Sequence, residues 1–214
     1  MQTTIDAIKA YKLVAIARRI SSDRIVDVAK ALYKGGIRLL EVTFDQSDPD
    51  CLLETPKMIR LVKDALGDDL YVGAGTVLTK RQVKRAREAG ADFCLAPDVN
   101  VEVIEKVKQL GMVSVPGALT PSEITQAYEA GADIVKVFPA GNFGTAYIKA
   151  VRGPISHIPL MAVGGVNLSN LKAFFEAGCM SAGIGGSLMD KNLISTGKWD
   201  ELAALAARYV EEAK

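Results

Sequence analysis

The chain predicts an α/β fold, a (β/α)8 or TIM barrel with a short extra N-terminal helix, and three observations lead there. Eight short apolar runs recur about every 20–25 residues, and stretches with helical apolar spacing separate them. A glycine-marked peptide also repeats: Glu88-Ala89-Gly90-Ala91-Asp92 returns as Glu129-Ala130-Gly131-Ala132-Asp133, and more loosely as Glu176-Ala177-Gly178-Cys179. Each copy reads as a helix end feeding the next strand, about two βα units apart. About eight such units is the number that closes a barrel. The open doubly wound sheet is the competing arrangement, but no Gly-x-Gly-x-x-Gly turn follows the first strand.

The expected strands are Leu13–Ala17, Leu39–Phe44, Leu70–Ala74, Phe93–Ala96, Met112–Val115, Ile134–Val137, Leu160–Val163 and Ala182–Ile184. Ile5 and Ile8 suggest the short helix ahead of the first strand. Ile25, Val28, Ala29 and Leu32 then fall at i, i+3, i+4 and i+7, one apolar helical face. Thr79 with Gln82 spells a capping box, and that helix stops at Gly90. Thr120-Pro121-Ser122-Glu123 places threonine at the N-cap, proline at N1 and glutamate at N3, with Gly131 suited to the left-handed position after the end. Asp45-Gln46-Ser47-Asp48-Pro49-Asp50 lacks calcium-loop spacing and reads as the loop and cap before the second barrel helix. Trp199 opens a last helix whose apolar face is Leu202, Leu205, Ala206 and Tyr209.

Composition narrows the function classes. At 214 residues and 49% hydrophobic, residues 1–214 suit a single barrel domain with a substantial core. A net charge of +1 without a basic block or acidic tail gives no reason to expect nucleic acid or membrane as partner. Cys51, Cys94 and Cys179 are odd in number, widely spaced and show no zinc or redox pattern. The opening Met1-Gln2-Thr3-Thr4-Ile5-Asp6 has no cationic start followed by an apolar stretch, and no apolar run approaches the ~18 residues of a membrane span. The expectation is a soluble, cytoplasmic protein.

The chemistry is expected where the βα loops gather, at the C-terminal strand ends. Lys136 is the single charge in Ile134-Val135-Lys136-Val137-Phe138, where burial disfavours an ammonium and lowers its pKa from about 10.4. A neutral amine attacks carbonyl carbon, so a Schiff-base lysine is the functional reading; a strand-end lysine reaching solvent is the plain alternative. Glu41 is the second charge in an apolar strand, and inward residues of the second and sixth strands can meet across a barrel interior. A carboxylate there could move protons while opposing the lysine's shift, which leaves the net shift open. Gly164-Gly165 and Gly185-Gly186-Ser187 follow strands seven and eight, where phosphate sites recur in this architecture. His157, the lone histidine, reads as a surface residue. With one histidine and no clustered carboxylates, no metal site is expected.

These segments resemble the 2-keto-3-deoxy-6-phosphogluconate (KDPG) / 4-hydroxy-2-oxoglutarate (KHG) aldolase family nearly end to end. The likeness rests on Gly35–Thr43, Gly73–Leu78, Ala96-Pro97, Pro116-Gly117, Val135–Ala140, Gly164–Asn167 and Gly185–Ser187. The resemblance implies a class I aldolase in which Lys136 forms the Schiff base, Glu41 is the acid/base and Thr76 holds the pyruvate end. It also implies substrate contacts from Pro97 and Phe138, a homotrimer, a 2-keto acid substrate and no cofactor. Many members carry arginine four residues after the glutamate, where this chain has Asp45; others use an arginine after strand one, which Arg18 matches. Val163 stands where members typically have threonine, so the substrate's identity stays open between KDPG, KHG and 2-keto-3-deoxy-6-phosphogalactonate. A non-covalent phosphosugar isomerase or epimerase and a phosphometabolite-binding protein are the rival classes.

Overall fold

The expected fifth strand ends at Val115, and past Pro116 a further short strand, Gly117–Ala118, continues the same barrel position. A computed structural model of the chain describes residues 2–214; Met1, part of the stretch read for a targeting signal, lies outside them. The strands are β1 (Leu13–Ala17), β2 (Leu39–Thr43), β3 (Tyr71–Gly75), β4 (Phe93–Leu95), β5 (Val113–Val115), β6 (Gly117–Ala118), β7 (Val135–Val137), β8 (Leu160–Val163) and β9 (Ser181–Ile184). They form one parallel sheet in the order β5-β4-β3-β2-β1-β9-β8-β7-β6. The two ends of that order are consecutive in the chain, with Pro116 alone between them. Proline has no N–H for a ladder, so β5 pairs with β4 while β6 pairs with β7. The barrel therefore has eight strand positions, the fifth shared by two short strands. The Lys136 N–H donates to the Pro116 carbonyl at 2.8 Å and that of Ala96 to Val115 at 3.2 Å, tying the split strand to both neighbours.

The helices are α1 (Gln2–Tyr11), α2 (Ile25–Lys34), α3 (Cys51–Leu66), α4 (Lys80–Glu88), α5 (Val101–Gln109), α6 (Pro121–Glu129), α7 (Ala140–Arg152), α8 (Leu171–Glu176), α9 (Lys191–Ser195) and α10 (Trp199–Glu212). Both expected capping boxes form, at Thr79/Gln82 and Thr120/Glu123. Residues 45–50 form the loop and N-cap before α3, as expected. Asp50 occupies the N-cap of α3 but its side chain makes no cap bond; instead Asp45 and Asp48 accept from the backbone of Ser47 and Asp50 two residues on.

Strand alternation sorts the core into two clusters. Ala15, Leu40, Val42, Ala74, Val135, Val137 and Ala162 face outward into the layer beneath the helices. Val14, Ile16, Leu39, Phe93, Leu95, Val113, Val115, Ile134, Met161 and Val163 fill the barrel, with Ile8 of α1 packed among them. Successive residues point to opposite faces of a strand, so one pattern builds both layers.

The repeated peptide has a structural cause. Gly90, Gly131 and Gly178 follow α4, α6 and α8 with φ of +92°, +99° and +103°, the left-handed position that ends a helix. The aspartates that follow act alike: Asp92 accepts from the Val72 N–H at 2.8 Å and Asp133 from that of Ser114 at 2.8 Å. Each also pairs with a lysine from one helix further back, Lys63 of α3 for Asp92 and Lys108 of α5 for Asp133. The echo marks the joints of the barrel rather than its chemistry.

Candidate active site

Lys136 and Glu41 both point into the barrel, at 6% and 2% exposure. Alternation explains this: Val135 and Val137 take the outward positions of β7, and Leu40 and Val42 those of β2. Space for the carboxylate comes from β3. A methyl group on Gly75 would overlap Glu41 Oε1, and one on Gly73 would overlap the Phe93 ring. Beyond Tyr71, the inward positions of β3 are thus empty of side chains, and neighbours occupy them. Thr43, two residues beyond Glu41 on the same face, donates its hydroxyl to Oε1 at 3.0 Å. Oε2 is buried without a hydrogen-bond partner among the described residues.

Burial pushes the Glu41 carboxyl above its ordinary range, opposed first by the positive charge of Lys136 and then by the Thr43 hydroxyl and Arg18. Burial likewise pulls the Lys136 amine down; the Glu41 charge opposes the fall, Arg18 adds to it and Asp98 opposes it. The direction that sequence left open is therefore downward. Each group is driven toward its neutral form, the state in which an amine is nucleophilic and a carboxyl can give a proton. The Phe138 ring centroid lies 4.9 Å from Lys136 Nζ.

A cavity of about 300 Å3 opens beside Phe138. Arg18 lies on its rim, with Gly164, Gly165, Gly185, Gly186 and Ser187 along one side. Gly164 and Gly165 have φ of +87° and +76° and pack against Gly141 at the start of α7. Nothing lies within 4 Å of where a Cβ would stand on Gly185 or Gly186, so their backbone is open to a ligand. The Ser187 hydroxyl donates to the Val166 carbonyl at 3.0 Å and joins the two loops. Ile16, Val163 and Gly183 add an apolar part to its lining.

Seven of the residues singled out from sequence thus share one cavity: Arg18, Phe138, Gly164, Gly165, Gly185, Gly186 and Ser187. Lys136, Glu41, Thr76 and Pro97 do not line it. Thr76 ends β3 in a left-handed conformation, φ +52°, and its carbonyl accepts from Gln46 Nε2 at 2.9 Å. The Pro97 carbonyl crowds Gly117, which pairs with Lys136 in register. Asp45, at the substituted arginine position, pairs at 3.5 Å with Arg19 rather than Arg18. His157 is exposed, its ring edge-on to Tyr128. Thr43, Gly75 and Asp98 were not foreseen as site residues; period-two alternation from Glu41 would have found Thr43. Among the described residues no group of three histidine, cysteine, aspartate or glutamate side chains is placed to hold a metal ion.

A parallel barrel with a buried lysine and carboxylate inside it, beside a glycine-lined cavity, defines the class of lyases that work through a lysine imine, the class I aldolases. The chain belongs to the KDPG and KHG aldolase family, whose model matches residues 4–205. It is 31% identical to the 2-dehydro-3-deoxy-phosphogluconate aldolase of Haemophilus influenzae over 98% of this chain and 96% of that one. It is 36% identical to the 2-dehydro-3-deoxy-6-phosphogalactonate aldolase of Escherichia coli over 82% and 83%. The KDPG aldolase of Legionella pneumophila, with pyruvate captured as a covalent carbinolamine intermediate, superposes with a TM-score of 0.84 at 25% identity, covering 97% of this chain and 98% of that one. Among the described residues no helix is long and apolar enough to cross a membrane.

Proposed function

We propose that this aldolase cleaves a 2-keto-3-deoxy-6-phospho sugar acid, KDPG in the first instance, to pyruvate and glyceraldehyde 3-phosphate through an imine on Lys136. The observation that carries the reading is the buried amine beside a buried carboxylate with an unshared oxygen. Neutral Nζ attacks the C2 carbonyl, and Glu41 gives its proton to the departing carbinolamine hydroxyl, which leaves water, an iminium and the Glu41 carboxylate. The C3–C4 bond breaks with its electron pair flowing into the iminium, while the C4 hydroxyl proton passes to that carboxylate. The aldehyde departs, Glu41 returns the proton to the enamine at C3, and water attacks the iminium to release pyruvate and the free amine, its extra proton going back to Glu41.

Arg18 anchors the carboxylate by paired charge-assisted bonds, and its charge is felt at both Lys136 and Glu41. Thr76 and Pro97 bound the pyruvate end, Phe138 walls the imine, and the Gly164-Gly165 and Gly185-Gly186-Ser187 loops take the phosphate. In this reading the enzyme works as a cytoplasmic homotrimer. Val163 favours a second substrate within the same chemistry: its apolar wall offers no hydroxyl to a substrate hydroxyl, which suits the galactonate series as well as KDPG.

Borohydride reduction with pyruvate, followed by peptide mapping, tests the assignment. A pyruvyl adduct on Lys136 is expected, absent from a folded Lys136→Met variant. An adduct surviving on another lysine in that variant overturns the assignment.

A further inference from the structure

A second cavity, of about 620 Å3, adjoins the first and shares Ile16, Arg18 and Gly186 with it. Its charge is one-sided. Arg18, Arg19 and Arg24 reach it from the segment between β1 and α2, and Lys191 from the start of α9, while no carboxylate lines it. In a chain whose net charge is +1, this gathers positive potential at one place. Arg19 and Arg24 do meet Asp45 and Asp23, each at 3.5 Å and through Nε. Such solvent-exposed pairs are weak. Between the cations the floor is apolar: Ile16, Met189 and Ile194 are buried, and Ile20 is half-buried.

Four cations around an apolar floor fit neither end of a small keto acid, whose phosphate and carboxylate the first cavity accommodates. They do fit a ligand that combines several phosphates with a flat apolar body. Guanidinium forks match phosphate oxygens two at a time and also stack on flat rings, and the volume is within the range of small-molecule sites. We propose that this groove binds an organic polyphosphate of the nucleoside di- or triphosphate class. Because Arg18 and Gly186 belong to both cavities, the bound ligand excludes the phosphorylated substrate. That second consequence rests on the aldolase reading; the binding does not.

Trp199, the only tryptophan, reports on the groove, since the Arg24 guanidinium lies 6.0 Å from its ring centroid. Titration of the full chain with ATP is expected to change tryptophan emission saturably, more tightly than tripolyphosphate, and inorganic phosphate more weakly than either. Arg24→Gln and Lys191→Ala, both outside the catalytic machinery, are each expected to weaken ATP binding about tenfold by calorimetry, the loss of one charge-assisted contact. Both should keep the wild-type kcat, and ATP should raise the KM of wild type without lowering its kcat. No saturable signal or heat with ATP at millimolar concentration overturns the proposal, as does undiminished binding to both variants. Fluorescence and calorimetry need no turnover, so a failed pyruvate adduct would leave this result standing.

Discussion

The Glu41 carboxylate lies over the Cα of Gly75, where even one methyl group would collide with Oε1. The carboxylate is buried and accepts from the Thr43 hydroxyl, so it must move if the space is filled. Gly75→Ala is expected to displace Glu41 and lower kcat by about tenfold or more, with about 1–3 kcal/mol lost from stability by overpacking. Gly73→Ala is the control: it disturbs the Phe93 ring instead, so it should lose similar stability while keeping much more of the activity. Urea unfolding and steady-state kinetics on both variants decide this. Equal activity losses would separate Gly75 from the carboxylate.

Removing the carboxylate charge should make the lysine easier to deprotonate. Burial holds the Lys136 amine down, and the largest opposing influence is Glu41. In Glu41→Gln that opposition is gone, so the pKa falls further and the neutral amine persists to lower pH. Labelling of Lys136 by a small carbonyl reagent, followed against pH, is expected to reach half its maximum at lower pH in the variant. A midpoint that moves upward would deny the coupling. Turnover should nevertheless drop about 100-fold, within the usual worth of a general acid–base.

The same carboxylate sets a pH dependence of stability. Glu41 is held above its ordinary value of 4.5 by burial, so the folded state keeps a proton that the unfolded chain releases. Its contribution to stability is greatest below the unfolded value and is lost as pH rises through the folded one. Glu41→Gln has no such proton. Wild type is therefore expected to lose stability relative to Glu41→Gln as pH climbs from about 4.5 toward neutrality, as urea midpoints would register. A difference between the two that stays flat over this window contradicts the shift.

Particular residues show what was legible in the chain. Lys136 and Glu41 stood out because a charge in an apolar strand has few explanations, and alternation then turns both inward. The strand order followed from the βα rhythm alone. Pro116 hid its effect, because an eight-unit count gives no hint that one strand serves two neighbours with separate segments. Gly75 hid its role for a different reason. Glu41 pairs in register with Gly73, yet its side chain reaches over the glycine two residues on, a consequence of side-chain direction that spacing does not encode. The loops carrying Arg18 and Thr76 set Arg18 in the lining of the glycine cavity and leave Thr76, like Lys136, outside it. Loop conformation depends on contacts distant in sequence, such as Gln46 on the Thr76 carbonyl.

Arg18 separates charge from geometry. It lies on the rim of the cavity, and lysine there would keep the charge while losing the planar fork that binds a carboxylate twice. Arg18→Lys is expected to raise KM for the keto acid about tenfold, on the order of 1.4 kcal/mol, with a smaller change in kcat. Unchanged KM would remove Arg18 from substrate binding.

Val163 tests which sugar acid the wall was built for. Its Cγ2 would stand 2.9 Å from a Cβ on Gly183, and Ile16 Cδ1 3.0 Å, so glycine at that position is what lets the two apolar side chains close the wall. Threonine has almost the shape of valine and introduces one hydroxyl at the cavity surface. A hydrogen bond between neutral partners contributes about 0.5–1.5 kcal/mol, so Val163→Thr is expected to change the ratio of kcat/KM for the gluconate and galactonate substrates by about three- to tenfold in favour of the gluconate series. The measurement is paired initial rates on the two C4 epimers, with an unphosphorylated keto acid as reference to show that the amine is still competent. A ratio that does not move, with both rates preserved, would mean that the C4 hydroxyl never meets this wall and that the choice of epimer is made elsewhere in the barrel mouth.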